Sequence, residues 1–106
     1  PLWLSPVQAV VCTITSDADE YADEVHRAFT NAGMRVQIDT SAEKINAKIR
    51  DHSLQKVPLI LVVGKKEMEN RTVALRRLGG ETQEMMGLED AVKALGAEAR
   101  TPDVKV

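Results

Sequence analysis

The side chains able to do covalent or acid–base chemistry are few and scattered. Cys12 is the only cysteine among 106 residues, so neither an intramolecular disulfide nor a multi-cysteine zinc site can form. It lies inside an apolar run. Exposed and ionised it would be a nucleophile, as in a signalling or phosphoryl-carrier domain; buried, it is a small core residue. His26 and His52 fall in separate predicted helices, with no cysteine or carboxylate at metal-ligand spacing, and read as helix-face residues. No GxxxxGK[ST] loop is present. Gly79-Gly80 lacks the spacing and the strand-to-helix setting of a dinucleotide fingerprint. What remains is charge. The net value of −2 hides three blocks: residues 1–40 carry −4, residues 41–77 carry +5, and residues 78–106 carry −3. The basic block could meet a polyanion if it folds onto one surface; otherwise it is a solvated face of ordinary lysines and arginines.

The elements that would position these groups follow from periodicity. Val7–Ile14 (VQAVVCTI) is short, apolar and β-branched, which predicts a buried strand. Ser16 is a candidate N-cap, with Asp17, Asp19 and Glu20 in the first turn of a helix that carries Ala18, Ala22, Val25, Phe29 and Ala32 on one face. Gly33 suits the position after its last turn. Arg35–Asp39 predicts a second strand. Thr40 and Glu43 stand at capping-box spacing and predict a second helix starting there, with Ile45, Ile49 and His52 along one face. Pro58 requires that helix to end before it. Leu59–Val63 (LILVV) reads as a strand covered on both faces, broken by Gly64.

That β-α-β-α-β order implies parallel strands joined by crossovers. Thr72–Arg77 and Glu81–Met86, separated by Gly79-Gly80, then predict an antiparallel hairpin. Leu88, Ala91, Val92 and Leu95 predict a closing helix, and the tail from Thr101 is expected to fray. The fold expected is α/β: a mixed five-stranded sheet flanked by three helices, in one domain. In such sheets ligands bind beyond the carboxyl ends of the parallel strands. Those ends are Thr15–Ser16, Asp39–Ser41 and Gly64–Glu67, with Lys44, Lys65 and Lys66 nearby and a helix N-terminus that could receive a phosphate.

The opening PLWLSPVQ, the run EKINAKIRDHSLQKVPLILVVGKKE and the segment TVALRR resemble the C-terminal anticodon-binding domain of threonyl-tRNA synthetase, a class IIa aminoacyl-tRNA synthetase. The likeness covers essentially the whole chain, and WLSP with Gln8 points to the threonyl member over the prolyl, histidyl and glycyl ones. It implies the same mixed five-stranded sheet with three helices. It also implies a binding module, without catalysis of its own, for the anticodon loop of threonine tRNA, whose last two anticodon bases are G and U. Glu67 and Arg76 match base-contacting positions of the family, and Lys44 matches the lysine of its EKI motif, which implies a third anticodon-binding residue, one that steers the tRNA or contacts its backbone. Lys65, Lys66, Ser41 and Arg77 are then candidates for tRNA backbone contacts. The resemblance further implies a parent threonine–tRNA ligase, homodimeric and cytoplasmic, whose catalytic domain is a partner in the same chain and holds ATP, magnesium and zinc. No cofactor or metal is expected in this fragment. The leading proline fits a piece of a longer chain, and no apolar run suggests a membrane span.

Two departures from the family pattern stand out. Family members often carry a base-contacting asparagine just before EKI, where this chain has Ala42. LGGETQ after Arg77 also replaces a more basic stretch. Without the resemblance, Glu67 could pair with Lys65 or Arg71, and Arg76 and Arg77 could be edge-protecting charges. The rivals are an anticodon domain of another class IIa synthetase, the Cys12-centred carrier domain, and an interaction module such as a polymerase accessory subunit.

Overall fold

The computed structural model describes residues 2–80 and 83–99. Five strands form one sheet in the order β2-β1-β3-β4-β5: β1 Ala9–Thr13, β2 Val36–Asp39, β3 Leu59–Val63, β4 Thr72–Arg77 and β5 Gln83–Gly87. β2 and β3 flank β1 in parallel, while β4 and β5 run antiparallel. All ten residues of β1 and β3 are buried. The unbroken apolar runs are therefore the strands with both faces covered, as patterning requires of a parallel sheet centre.

The crossovers place their helices on opposite faces. α1 (Asp19–Asn31) buries Tyr21, Ala22, Val25 and Phe29. It packs, with Leu88, Ala91 and Leu95 of α4 (Leu88–Ala99), on the face presented by Ala9, Val11, Leu59, Leu61 and Leu75. α2 (Ile45–Leu54) sets Ile45 and Ile49 on the other face, against Val10, Cys12, Ile60 and Val62. Complete burial of a Phe or Leu side chain contributes about 1.5–3 kcal/mol, so α1 and α4 anchor their face far more strongly than the two isoleucines of α2 anchor theirs.

The elements follow the sequence with three revisions. A short helix, α3 (Lys65–Asn70), occupies the segment after Gly64, making four α-helices among the described residues where three were expected. Six residues are too few for helical periodicity to show. Ser16 begins a single 3₁₀ turn, Ser16–Ala18, and α1 proper starts at Asp19. α2 begins at Ile45 rather than near Thr40. There the Asp39 carboxylate captures the Ser41 N–H at 3.1 Å, a local turn that competes with helix initiation. Gly33 does end α1, at φ +92. Its N–H reaches the Thr30 carbonyl and that of Met34 reaches Phe29, the paired bonds of a left-handed helix terminator. Glu81, at the expected start of the last strand, and the tail from Thr101 lie outside the described residues.

Candidate nucleic-acid interface

On the α1/α4 face two long helices cover the sheet. On the opposite face α2 is the only described α-helix that packs on the sheet, and it covers the β1/β3 half. Parallel and antiparallel register carries the same pleat outward, from Cys12 through Val62 and Ala74 to Met85, and from Val10 through Ile60 and Arg76 to Gln83. The rows begin dry beneath α2 and end in the open. The step between helix and bare hairpin is a cleft of about 500 Å³.

Its floor is Val62 and Ala74, its helix wall Ile45, Asn46 and Ile49, and its hairpin wall Arg76, Gln83 and Met85. Ile14 and Glu67 close it at the strand ends. Ile14 and Met85 are large apolar side chains left 45% and 52% exposed at the rim. A flat apolar ligand could lie between them.

Glu67 is the third residue of α3 and only 7% exposed. Its Oε1 accepts the Gly64 N–H at 2.8 Å, closing the helix start. That bond fixes the carboxylate at the carboxyl end of β3, beside β1, where the strand order reverses. The other oxygen has no partner among the described residues, so neither Lys65 nor Arg71 takes it. Arg71 is ion-paired to Glu24, which holds the Glu24 carboxyl below its ordinary range.

The neighbouring arginines of β4 separate by strand alternation. Arg76 sits on the cleft face, half-buried, with no hydrogen bond or ion pair among the described residues. Arg77 points to the opposite face, where Glu98 of α4 binds it with two bonds of 2.9 and 3.0 Å. The structure thus brings Glu67 and Arg76 together and parts Arg77 from them. Lys65 and Lys66 are exposed on the first turn of α3, and exposed Lys44 immediately precedes cleft-lining Ile45. Ser41 and Ala42 line a separate hollow of about 320 Å³, which shares Ile14 with the cleft.

Lys48, counted with the basic block, is instead 1% exposed. Its amino group donates to the Thr13 carbonyl at 2.9 Å, the Thr13 hydroxyl at 3.2 Å and the Asp39 carbonyl at 3.3 Å. It clamps the ends of β1 and β2 together. The position between Ile45 and Ile49 on the inner face of α2 was the available signal for its burial. Asn46, Gln83, Ile14 and Met85 had no such signal, because the cleft is made by register between elements far apart in sequence.

Cys12, Asp39 and His52 converge so that their ligand atoms lie within 4.8 Å of one another, a juxtaposition invisible in their spacing. The group does not fit a zinc ion. Asp39 and His52 already bind each other at 2.8 Å, and the Lys48 amino group sits on the Asp39 carbonyl. Burial, with the Asp39 charge beside it, pushes the Cys12 thiol up to about 12, so it stays protonated. The same burial removes Cys12 as a nucleophile. Another depression, of about 790 Å³, runs along the outside of α1, but both of its arginines are engaged, in the Arg27–Asp23 and Arg71–Glu24 pairs. No helix among the described residues is long and apolar enough to cross a membrane.

Residues 8–98 match the family model described as an anticodon binding domain. A threonine–tRNA ligase of Caulobacter sp. (strain K31) is 62% identical over 104 residues, which are 98% of this chain and 16% of that protein. The chain thus spans about a sixth of the length of such relatives. The RNA-binding domain of threonyl-tRNA synthetase from Cryptosporidium parvum Iowa II superposes with a TM-score of 0.91 at 33% identity, covering 99% of this chain and 26% of that one. A prolyl-tRNA synthetase from Cryptosporidium parvum, at TM-score 0.80 and 23% identity over 93% of this chain and 22% of that one, shares the fold. With its five-stranded sheet and nearly its whole length matched, the chain belongs to the anticodon-binding domain family, and its sequence is most like the threonyl-tRNA synthetase members among these.

Proposed function

We propose that the cleft reads anticodon bases of a threonine tRNA, and that the domain thereby orients the acceptor end of that tRNA toward the catalytic domain of a threonine–tRNA ligase. One observation carries this reading. An acceptor-only group, Glu67, and a donor-only group, Arg76, occupy one apolar-floored cleft with hydrogen-bonding capacity unused by the described residues. A splayed base presents both kinds of partner on its Watson–Crick edge. A glutamate accepts from the N–H donors of guanine, and an arginine fork donates to base carbonyls or phosphate. Lys44, Lys65, Lys66 and Ser41 would meet the backbone at the strand-end side. Arg77, engaged by Glu98, would have to surrender that pair to take part.

The same reading assigns ATP, magnesium, zinc and the homodimer contact of a cytoplasmic parent enzyme to parts of it outside this chain, where the adenylation chemistry would reside. The test is binding of the chain to an anticodon stem-loop of threonine tRNA at fixed moderate salt, beside loops changed at the second or third anticodon base. Arg76→Ala and Glu67→Ala are each expected to weaken cognate binding roughly 10- to 100-fold, the effect of losing one charge-assisted hydrogen bond. Each should also flatten the base preference. Binding indifferent to base identity, weakening only with salt, would reduce the site to a generic basic surface.

A further inference from the structure

We infer that Asn46 is a specificity-determining residue of the cleft, reading the edge of a splayed nucleobase through its carboxamide; this rests on the cleft being an RNA-base site. Asn46 is the second residue of α2 and lines the cleft on its helix side, in the same cleft as Arg76 and Gln83 of the hairpin. Local structure gives no reason for it. Asparagine is a poor residue for a helix interior and earns its place at helix starts by bonding backbone N–H groups. Here the N-cap is Lys44, which makes no side-chain cap bond. The exposed Asn46 carboxamide has no partner among the described residues. Its backbone is nonetheless fixed, because Ile45 and Ile49 on either side seat the helix on Val10, Cys12 and Val62.

The chemistry complements its neighbours. Glu67 can only accept and Arg76 can only donate, whereas a carboxamide does both at once across about the spacing of adjacent groups on a base edge. A base resting on Val62 and Ala74, between Ile14 and Met85, would present an edge to the helix wall where Asn46 stands. Ala42 lines the neighbouring hollow and offers only a methyl group, so Asn46 is the amide on the α2 side of the cleft.

The experiment uses stem-loops of threonine tRNA carrying each of the four bases at the second and at the third anticodon position, titrated against wild type, Asn46→Ala and Asn46→Asp. Alanine is a better helix former, so Asn46→Ala should melt at or above the wild-type temperature. The ratio of cognate to non-cognate affinity at one position should fall about tenfold or more, the effect of losing a two-point base contact, with non-cognate binding changed less than about twofold. Asn46→Asp, which removes the donor and adds like charge near Glu67, should weaken cognate binding further. An unchanged ratio in Asn46→Ala, while Arg76→Ala abolishes preference, would overturn the role of Asn46 and leave base reading standing. No preference in wild type would overturn both.

Discussion

Lys48→Met tests whether the strand-end loops are held by one buried amino group. Methionine keeps the length of the stem, so no large cavity opens; the change removes three donor contacts. The Thr13 hydroxyl can rotate to another partner, but the Thr13 and Asp39 carbonyls cannot leave. An orphaned buried acceptor costs about 1–3 kcal/mol. The Thr13 carbonyl is buried and the Asp39 carbonyl partly so. Relief of the amino group's own desolvation offsets part of that cost. The net loss expected is about 2–4 kcal/mol. For a domain of this size it lowers Tm by roughly 10–25 °C. Urea unfolding followed by far-UV circular dichroism should show the midpoint falling with an unchanged m-value. Below the new Tm, anticodon-loop binding should weaken as well, because the β1 and β2 ends that Lys48 joins border Ile14 and Ser41. A loss under about 1 kcal/mol, or a gain, would refute the clamp and mean that the carbonyls find other donors.

Gly64→Ala brings a Cβ to 2.8 Å from the Ile14 Cδ1 and 3.1 Å from the Glu67 Oε1. Ile14 is exposed and can swing aside, so stability should fall by only about 1–2 kcal/mol, while displacement of the Glu67 carboxylate should weaken anticodon-loop binding several-fold or more. Equal losses in unrelated single strands would show that Glu67 does not read a base. Cys12, buried and with its thiol pushed up to about 12, should react with a disulfide reagent at pH 8 at least ~1,000-fold more slowly than in unfolded chain; comparable rates would revive a reactive-thiol role. Burial raises the Asp39 carboxyl, but hydrogen bonds from His52 and Ser41 and the nearby Lys48 charge outweigh it, and the folded value lies below the ordinary one. Its stabilising contribution is therefore complete above the unfolded value of about 4 and fades as pH falls through the lower folded value. Urea midpoints between about pH 2 and 5 should be less pH-dependent in Asp39→Asn than in wild type; parallel slopes would remove Asp39 from the acid response.

Much of this protein was legible from its residues in order. LILVV and AVVCT could only be central strands, because an unbroken apolar run has no polar face to offer water. Ala22, Val25 and Phe29 at helical spacing set the buried stripe of α1, and Gly33 set its end. The family resemblance singled out Glu67 and Arg76, and Arg76 and Glu67 do line one cleft. The rest depended on distances that sequence does not carry. Lys48 and Lys44 are both lysines of one short motif, yet one is sealed against Thr13 and the other stands exposed, because only packing of α2 decides which side of the helix meets the sheet. Arg76 and Arg77 differ by a single step of the pleat, and it takes the register of β4 on β3, with Glu98 waiting on the far face, to give one to the cleft and the other to an ion pair. Cys12, Asp39 and His52 meet through parallel pairing and a helix crossing. The cleft itself exists because α2 covers only part of the sheet. How far a helix reaches across five strands is a property of the packed molecule, where burial on one face has already been satisfied by α1 and α4.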